Sequence, residues 1–129
     1  MKVCIKIAKS GVSQEQVEVI SSFVKFLQSQ LPLSSNVEIK FVDDQNETGT
    51  TGVRMPGSKI SILAKGRMLV DILRTLSHEW VHEYDTTILK KPRTGDVGGE
   101  NENKANSESG RLVKLFEQTH PDFEEWLYE

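Results

Sequence analysis

The segment His78-Glu79-Trp80-Val81-His82 has the pattern H-E-x-x-H, which brings two imidazoles and a carboxylate into one short stretch. In a helix, residues four apart lie one turn apart on the same face, so His78 and His82 can bind a single metal ion together. Glu79 stands where this pattern places a general base. The pattern predicts a zinc site, and the alternative is a helix with two solvent-facing or core histidines.

Glu102 is the predicted third metal ligand, and 19 residues separate it from His82. Catalytic zinc usually takes three protein ligands and a water, and two histidines with one glutamate form a known ligand set. Asn106 follows Glu102 by one helical turn and is a candidate to accept a hydrogen bond from the second ring nitrogen of a ligand histidine. The alternative for Asn106 is an ordinary solvated helix residue.

Two long helices must position these residues. The first helix is predicted from Met68 to about Leu89, where the chain has no internal glycine or proline. A helical wheel of this segment places an apolar side opposite the two histidines. From Glu100 to about Thr119 a second helix is predicted, with Glu102 on a face of small and apolar residues. The apolar side of the first helix comprises Leu69, Leu73, Leu76 and Trp80, and the face of the second comprises Ala105, Asn106, Ser109, Val113 and Phe116.

The N-terminal half is expected to supply a small sheet and a further helix. An apolar stripe from Gln14 to Gln30, with Ser13 as its start, predicts that helix. Alternation of apolar and polar residues predicts strands at 3–7, 37–41, 53–55 and 60–64, with loops at 43–52 and 90–99. The expected class is α+β, with a small mixed or antiparallel sheet packed against helices in one domain, 1–129.

Composition narrows the classes of partner. A chain of 129 residues with 36% hydrophobic content suits one compact domain, and a net charge of -3 argues against a nucleic-acid partner. No stretch resembles a signal-peptide core or a membrane span, so we expect a soluble cytoplasmic protein without a membrane partner. The single cysteine, Cys4, excludes an internal disulfide, and we expect it to be buried in the first strand.

These residues resemble the gluzincin metallopeptidases, in which H-E-x-x-H is followed by a helix bearing a glutamate ligand. The run from Glu102 to Asn106 also looks like the E-x-x-A-N signature of ImmA/IrrE-type peptidases, and residues 60–129 are similar to small metallopeptidase-like proteins of tailed phages. The resemblance implies a minimal zincin fold, Zn²⁺ as cofactor, and a peptide or protein substrate in a bacterial cell or phage-infected host. Asn106 stands where thermolysin-like members have an aspartate, and their large second domain has no counterpart.

Amide hydrolysis is the chemistry expected of such a site, with Glu79 taking a proton from a zinc-activated water and passing it to the leaving amine. Tyr84, Arg93, His120 and Tyr128 are candidate donors to the oxyanion, and their alternatives are packing, helix capping or a solvated loop. Two other hypotheses stay open. One is a catalytically silent, zinc-stabilised interaction protein or phage structural or accessory protein, and the other is a metal-free helical domain in which the motif is accidental.

Overall fold

The computed structural model describes residues 3–6, 12–34, 36–43, 52–55, 58–89 and 100–128, apart from the side chains of 53–55 and 100–103. The expected α+β class is confirmed, because a small sheet packs against helices. The predicted loop 90–99, most of the loop 43–52 and Ile7 lie outside the described residues. The described strands are β1 (Val3–Lys6), β2 (Val37–Val42), β3 (Gly52–Met55) and β4 (Lys59–Leu63). The described helices are α1 (Gln14–Gln30), α2 (Leu69–Thr87), α3 (Glu100–Thr119) and α4 (Glu124–Leu127), and a 3₁₀ turn at Pro121–Phe123 precedes α4.

The strands form one mixed sheet in the order β1-β2-β4-β3. β1, β2 and β4 run parallel, whereas β3 runs antiparallel to β4 at the edge of this sheet. The register pairs Ile39 with Ile60, and both are buried on the face that the helices cover. The next pair in register, Glu38 with Lys59, lies on the opposite face because successive strand residues alternate.

The first helix shows how local sequence signals set an element. Ser13 caps α1: its hydroxyl accepts a hydrogen bond from the Gln16 amide at 3.2 Å, and the Gln16 side chain accepts one from the Ser13 amide at 3.0 Å. This capping box satisfies amides that a helix start leaves unpaired. The apolar stripe of α1 is buried in the core, as its spacing predicts, through Val19, Ile20, Phe23, Val24 and Leu27.

Helices α2 and α3 make the most extensive contact between any two of the described elements. On α2 the predicted apolar side is confirmed, and the indole Nε1 of Trp80 donates a hydrogen bond to the Leu31 carbonyl at 2.9 Å, which joins α2 to the end of α1. On α3, Ala105 and Ser109 are buried, so small side chains lie in the interface as expected. The other buried residues of α3 are Leu112, Val113 and Phe116.

Cys4 is exposed, so the expectation that it is buried was wrong. In β1, Val3 and Ile5 are half-buried and pack against the core. Because side chains alternate along a strand, Cys4 and Lys6 lie on the other face of the sheet. The sequence shows the alternation of side chains along β1. Burial of Cys4 would also require another element to cover this second face of the sheet. The structure leaves it open at Cys4.

Candidate metal centre

His78 and His82 converge on one side of α2. Their Nε2 atoms lie 3.0 Å apart, and their ring centroids lie 4.7 Å apart with the planes tilted by 59°. Because Zn–N bonds are about 2.0–2.1 Å long, two nitrogens on one zinc ion are separated by at most about 4.2 Å and by about 3.3 Å at a tetrahedral angle. The observed separation fits a shared ion after a small movement of the rings.

The same distance also suits a hydrogen bond between two neutral rings, in which one Nε2 donates and the other accepts. Both arrangements require the two Nε2 atoms to lie close together on the same side of α2. Both histidines are half-buried, whereas Trp80 between them is fully buried on the core side of α2. Helix α2 therefore packs against the core with one side and carries the two imidazoles on the other.

Glu79 is half-buried and lies where β3 passes over α2. A Cβ atom built on Gly52 would lie 2.5 Å from Cγ2 of Thr75 and 3.6 Å from Cγ of Glu79. The first of these distances is well inside van der Waals contact. The backbone of the edge strand thus approaches α2 beside Glu79 more closely than a residue with a side chain would allow.

Glu102 lies in the first turns of α3, and its side chain is outside the described part of the chain. The path of α3 at this point is fixed two residues later, where Nζ of Lys104 lies 3.0 Å from Oδ1 of Asp85. Asp85 follows His82 on α2 by less than one turn. The first turns of α3 therefore lie alongside the C-terminal half of α2, which is the half that carries the histidines. Coordination by Glu102 stays a prediction.

Two buried carboxylates follow His82, and the sequence did not single them out. Glu83 is buried and accepts a hydrogen bond from the Ser58 hydroxyl at 2.6 Å. Asp85 is buried too, and its Oδ2 has no hydrogen-bond partner among the described residues. Acidic residues in a helix are usually solvated, so no local signal distinguishes these two from others. Their environment depends on contacts with Ser58, just before β4, and with Lys104 of α3, which are distant in the sequence.

Asn106 is exposed, whereas Ala105 and Ser109 are buried. At about 100° per residue, the buried residues of α3 centre near Ala105, and Asn106 falls at the margin of that face. The shared face expected from the sequence thus holds for the apolar and small residues but not for Asn106. Its hydrogen bond to a ligand histidine stays a prediction, and in this structure it lies beside the helix interface.

Two of the candidate oxyanion donors lie at the end of α3 opposite to Glu102. The His120 ring stacks on Phe116 with centroids 4.3 Å apart, and the Tyr128 hydroxyl donates to Oε1 of Glu117 at 2.5 Å. From Glu102 to Phe116 the helix rises by about 21 Å. His120 and Tyr128 are thus separated from the Glu102 end of the helix and take part in packing and capping.

The other two candidate oxyanion donors are Tyr84 and Arg93. Tyr84 is half-buried and packs against the hydrophobic core, which was its alternative interpretation from the sequence. Arg93 lies outside the described residues. No side chain among the four candidates is therefore placed at the His78–His82 pair by the described structure, and the oxyanion donor is not assigned.

No family model matches this chain, and neither does any curated protein. Within the described ranges, no three His, Cys, Asp or Glu residues are grouped so that they could hold a metal ion. The predicted ligand set is not covered by that finding, because the Glu102 side chain lies outside those ranges. None of the described helices combines the length and apolar character needed to cross a membrane. The H-E-x-x-H motif and the geometry around α2 are therefore the features that point to a function.

Proposed function

We propose that this protein is a zinc-dependent peptidase in which His78, His82 and Glu102 hold the metal and Glu79 is the general base. The observation that carries the proposal is the 3.0 Å approach of the two Nε2 atoms on the helix that also bears Glu79. A purely structural zinc site is usually closed by four protein ligands and does not need this carboxylate. Two imidazoles, one predicted carboxylate ligand and an adjacent base suit a catalytic site.

The protein side chains have separate tasks in this reaction. Each histidine binds through Nε2, which requires the neutral ring with its proton on Nδ1. Bound zinc supplies Lewis-acid polarisation of the substrate carbonyl and increases the acidity of a water molecule. Glu79 takes a proton from the water molecule as the water oxygen bonds to the carbonyl carbon of the substrate. Glu79 then delivers that proton to the amine as the C–N bond breaks.

An extended peptide is the substrate form that the surroundings favour. β3 is the edge strand of the described sheet, and through Gly52 it passes directly beside Glu79. The edge of a sheet offers backbone amides and carbonyls to a peptide in extended conformation. We propose a specific protein target rather than general digestion, because 129 residues leave little surface from which to build a deep cleft. On the resemblance to ImmA/IrrE-type and phage proteins, we propose the cytoplasm as its compartment.

The test compares wild type with Glu79→Gln, using Glu18→Gln, an exposed glutamate of α1, as the matched control. Each protein is purified without added metal, its zinc content is measured, and its cleavage of bacterial proteins is followed by mass spectrometry. We expect about one zinc per chain in all three and loss of cleavage by about 10²–10⁴-fold in Glu79→Gln alone. Full activity in Glu79→Gln would contradict the assignment of the base.

Two other outcomes separate the alternatives. Wild type that binds zinc and cleaves nothing supports a zinc-stabilised protein without turnover. Protein that contains no zinc and shows no thermal shift with a chelator supports an accidental motif.

The ligand set has its own test. We expect His82→Ala to lose zinc, and Glu102→Gln to bind it at least about tenfold more weakly. Unchanged zinc affinity in Glu102→Gln would remove Glu102 from the set.

A further inference from the structure

We infer that Gly52 is a positioning residue for Glu79: the backbone of β3 packs against the stem of this side chain and restricts where its carboxylate can lie. The inference rests on the proposed function, since it concerns the residue to which we assign the role of base. Gly52 belongs neither to the H-E-x-x-H segment nor to the predicted set of metal ligands.

The first step is the lack of room at position 52. An added Cβ would lie 2.5 Å from Cγ2 of Thr75 and 3.6 Å from Cγ of Glu79. The second distance is an ordinary van der Waals contact, whereas the first requires some atom to move. Glycine is therefore the residue that allows this spacing between the strand and the helix.

The second step is that Thr75 is held in place. Its hydroxyl donates to the Asp71 carbonyl at 3.1 Å and accepts a hydrogen bond from Arg67 at 2.7 Å. Rotation of the Thr75 side chain away from a new methyl group would break both hydrogen bonds. The steric conflict at position 52 is therefore transmitted to the strand rather than absorbed by Thr75.

The third step is that β3 is fixed from its other side. Gly52 pairs in register with Ile62 of β4, and Ile62 is fully buried in the core. The strand can move away from α2 only by disturbing this pairing. In the wild type, the strand passes beside the methylene groups of Glu79, since a Cβ at position 52 would already be in contact with Cγ of Glu79. We infer that the strand excludes those Glu79 rotamers that would place the side chain in its path.

The test is a double-mutant cycle between positions 52 and 75. Gly52→Ala introduces the conflict, and Thr75→Ser removes the methyl group concerned while keeping the hydroxyl. Gly110→Ala is the matched control, because a Cβ at Gly110 meets nothing within 4 Å. For each zinc-loaded variant we measure zinc content, and kcat and KM with a synthetic peptide that spans a cleavage site found by mass spectrometry. For each metal-free variant we measure the melting temperature.

We expect Gly52→Ala to lower kcat by about 10–100-fold, because small displacements of a catalytic group have effects of this size. KM should change by less than about threefold and zinc content should be unchanged. Overpacking should lower the melting temperature by roughly 5–10 °C, whereas alanine at Gly110 should not lower it. Gly52→Ala/Thr75→Ser should recover most of both losses. A merely structural role for Gly52 would lower the melting temperature and leave kcat per bound zinc unchanged, and that result would overturn the inference.

A readout without metal or substrate separates this inference from the proposed function. In metal-free wild type, the two Hγ protons of Glu79 should give separate NMR resonances, because the side chain is restricted. In Gly52→Ala they should merge. Merged resonances in wild type overturn the inference even if Gly52→Ala does not fold. Separate resonances in a wild type that hydrolyses nothing would instead support the packing and contradict the peptidase.

Discussion

Lys104→Met removes the charge that faces the buried carboxylate of Asp85. The Asp85 side chain is 6% exposed, and its Oδ1 lies 3.0 Å from Nζ of Lys104. Its Oδ2 is buried, and no described group donates to it. Methionine keeps the length of the aliphatic stem, so the substitution tests the charge rather than the packing. The ion pair also fixes the part of α3 that carries Glu102.

The magnitude follows from two opposing terms. At an effective dielectric of about 20, unit charges 3.0 Å apart attract by about 5–6 kcal/mol. Desolvation of the carboxylate offsets much of this attraction. Removing one partner of a fully buried pair costs about 3–5 kcal/mol, but the Lys104 side chain is 38% exposed and water screens it. We therefore expect a loss of about 2 kcal/mol. For a chain of 129 residues this lowers the melting temperature by about 7 °C.

The assay is urea and thermal unfolding of metal-free wild type, Lys104→Met, Asp85→Asn and the double variant. Lys114→Met, at an exposed position of α3, is the control and should be nearly neutral. We expect a coupling of at least about 1 kcal/mol between positions 85 and 104. If Glu102 is a zinc ligand as proposed, Lys104→Met should also bind zinc more weakly, because both residues lie on the same turn of α3. Strictly additive losses, or a shift below about 2 °C in Lys104→Met, would refute the reasoning.

Trp80→Phe removes the indole that donates to the Leu31 carbonyl at 2.9 Å. We therefore expect urea unfolding to show a free energy of unfolding lower by about 1–3 kcal/mol, and an unchanged value would contradict this. A hydrogen bond from Arg111 holds the pKa of the Glu108 carboxyl below its usual value. The stabilisation is present above the unfolded pKa of glutamate and is lost as pH falls through the depressed folded value. Arg111→Gln should therefore be less stable than wild type at neutral pH by at most about 0.5 kcal/mol, because the pair is largely exposed, and the difference should vanish in acid. Urea unfolding at both pH values measures it, and a difference that grows in acid would contradict the sign.

The three long helices were predicted well because their signals are local, whereas α4 at Glu124–Leu127 was not predicted. The Ser13 capping box and the following apolar stripe define α1 at Gln14–Gln30 without reference to the rest of the chain. The His120-Pro121 pair ends α3 at Thr119, since proline disfavours helical geometry in the residue before it. The order of elements and the apolar side of α2 were also accessible, because both follow from periodicity.

Features that depend on contacts distant in the sequence were not predicted. Strand order is one: nothing in residues 52–55 indicates that β3 lies antiparallel at the edge, beyond β4. Gly52 is another, because a glycine beside a short strand is compatible with a turn as well as with close approach. The helical wheel predicted which residues lie near the buried face of α3, but not how the helix is rotated about its axis against α2. Asn106 is therefore more exposed than expected.

The length of β3 has a consequence for how any bound peptide is held. β3 comprises four residues, Gly52–Met55, and β1 at the other side of the described sheet is equally short. Short edge strands offer few backbone groups for association between copies, which protects a protein from aggregation. For the same reason, a peptide added to these four described residues would form only a few hydrogen bonds, and in the proposed peptidase the cut fragments should dissociate quickly. Discrimination between targets of such a peptidase would then come from side-chain contacts beyond the strand.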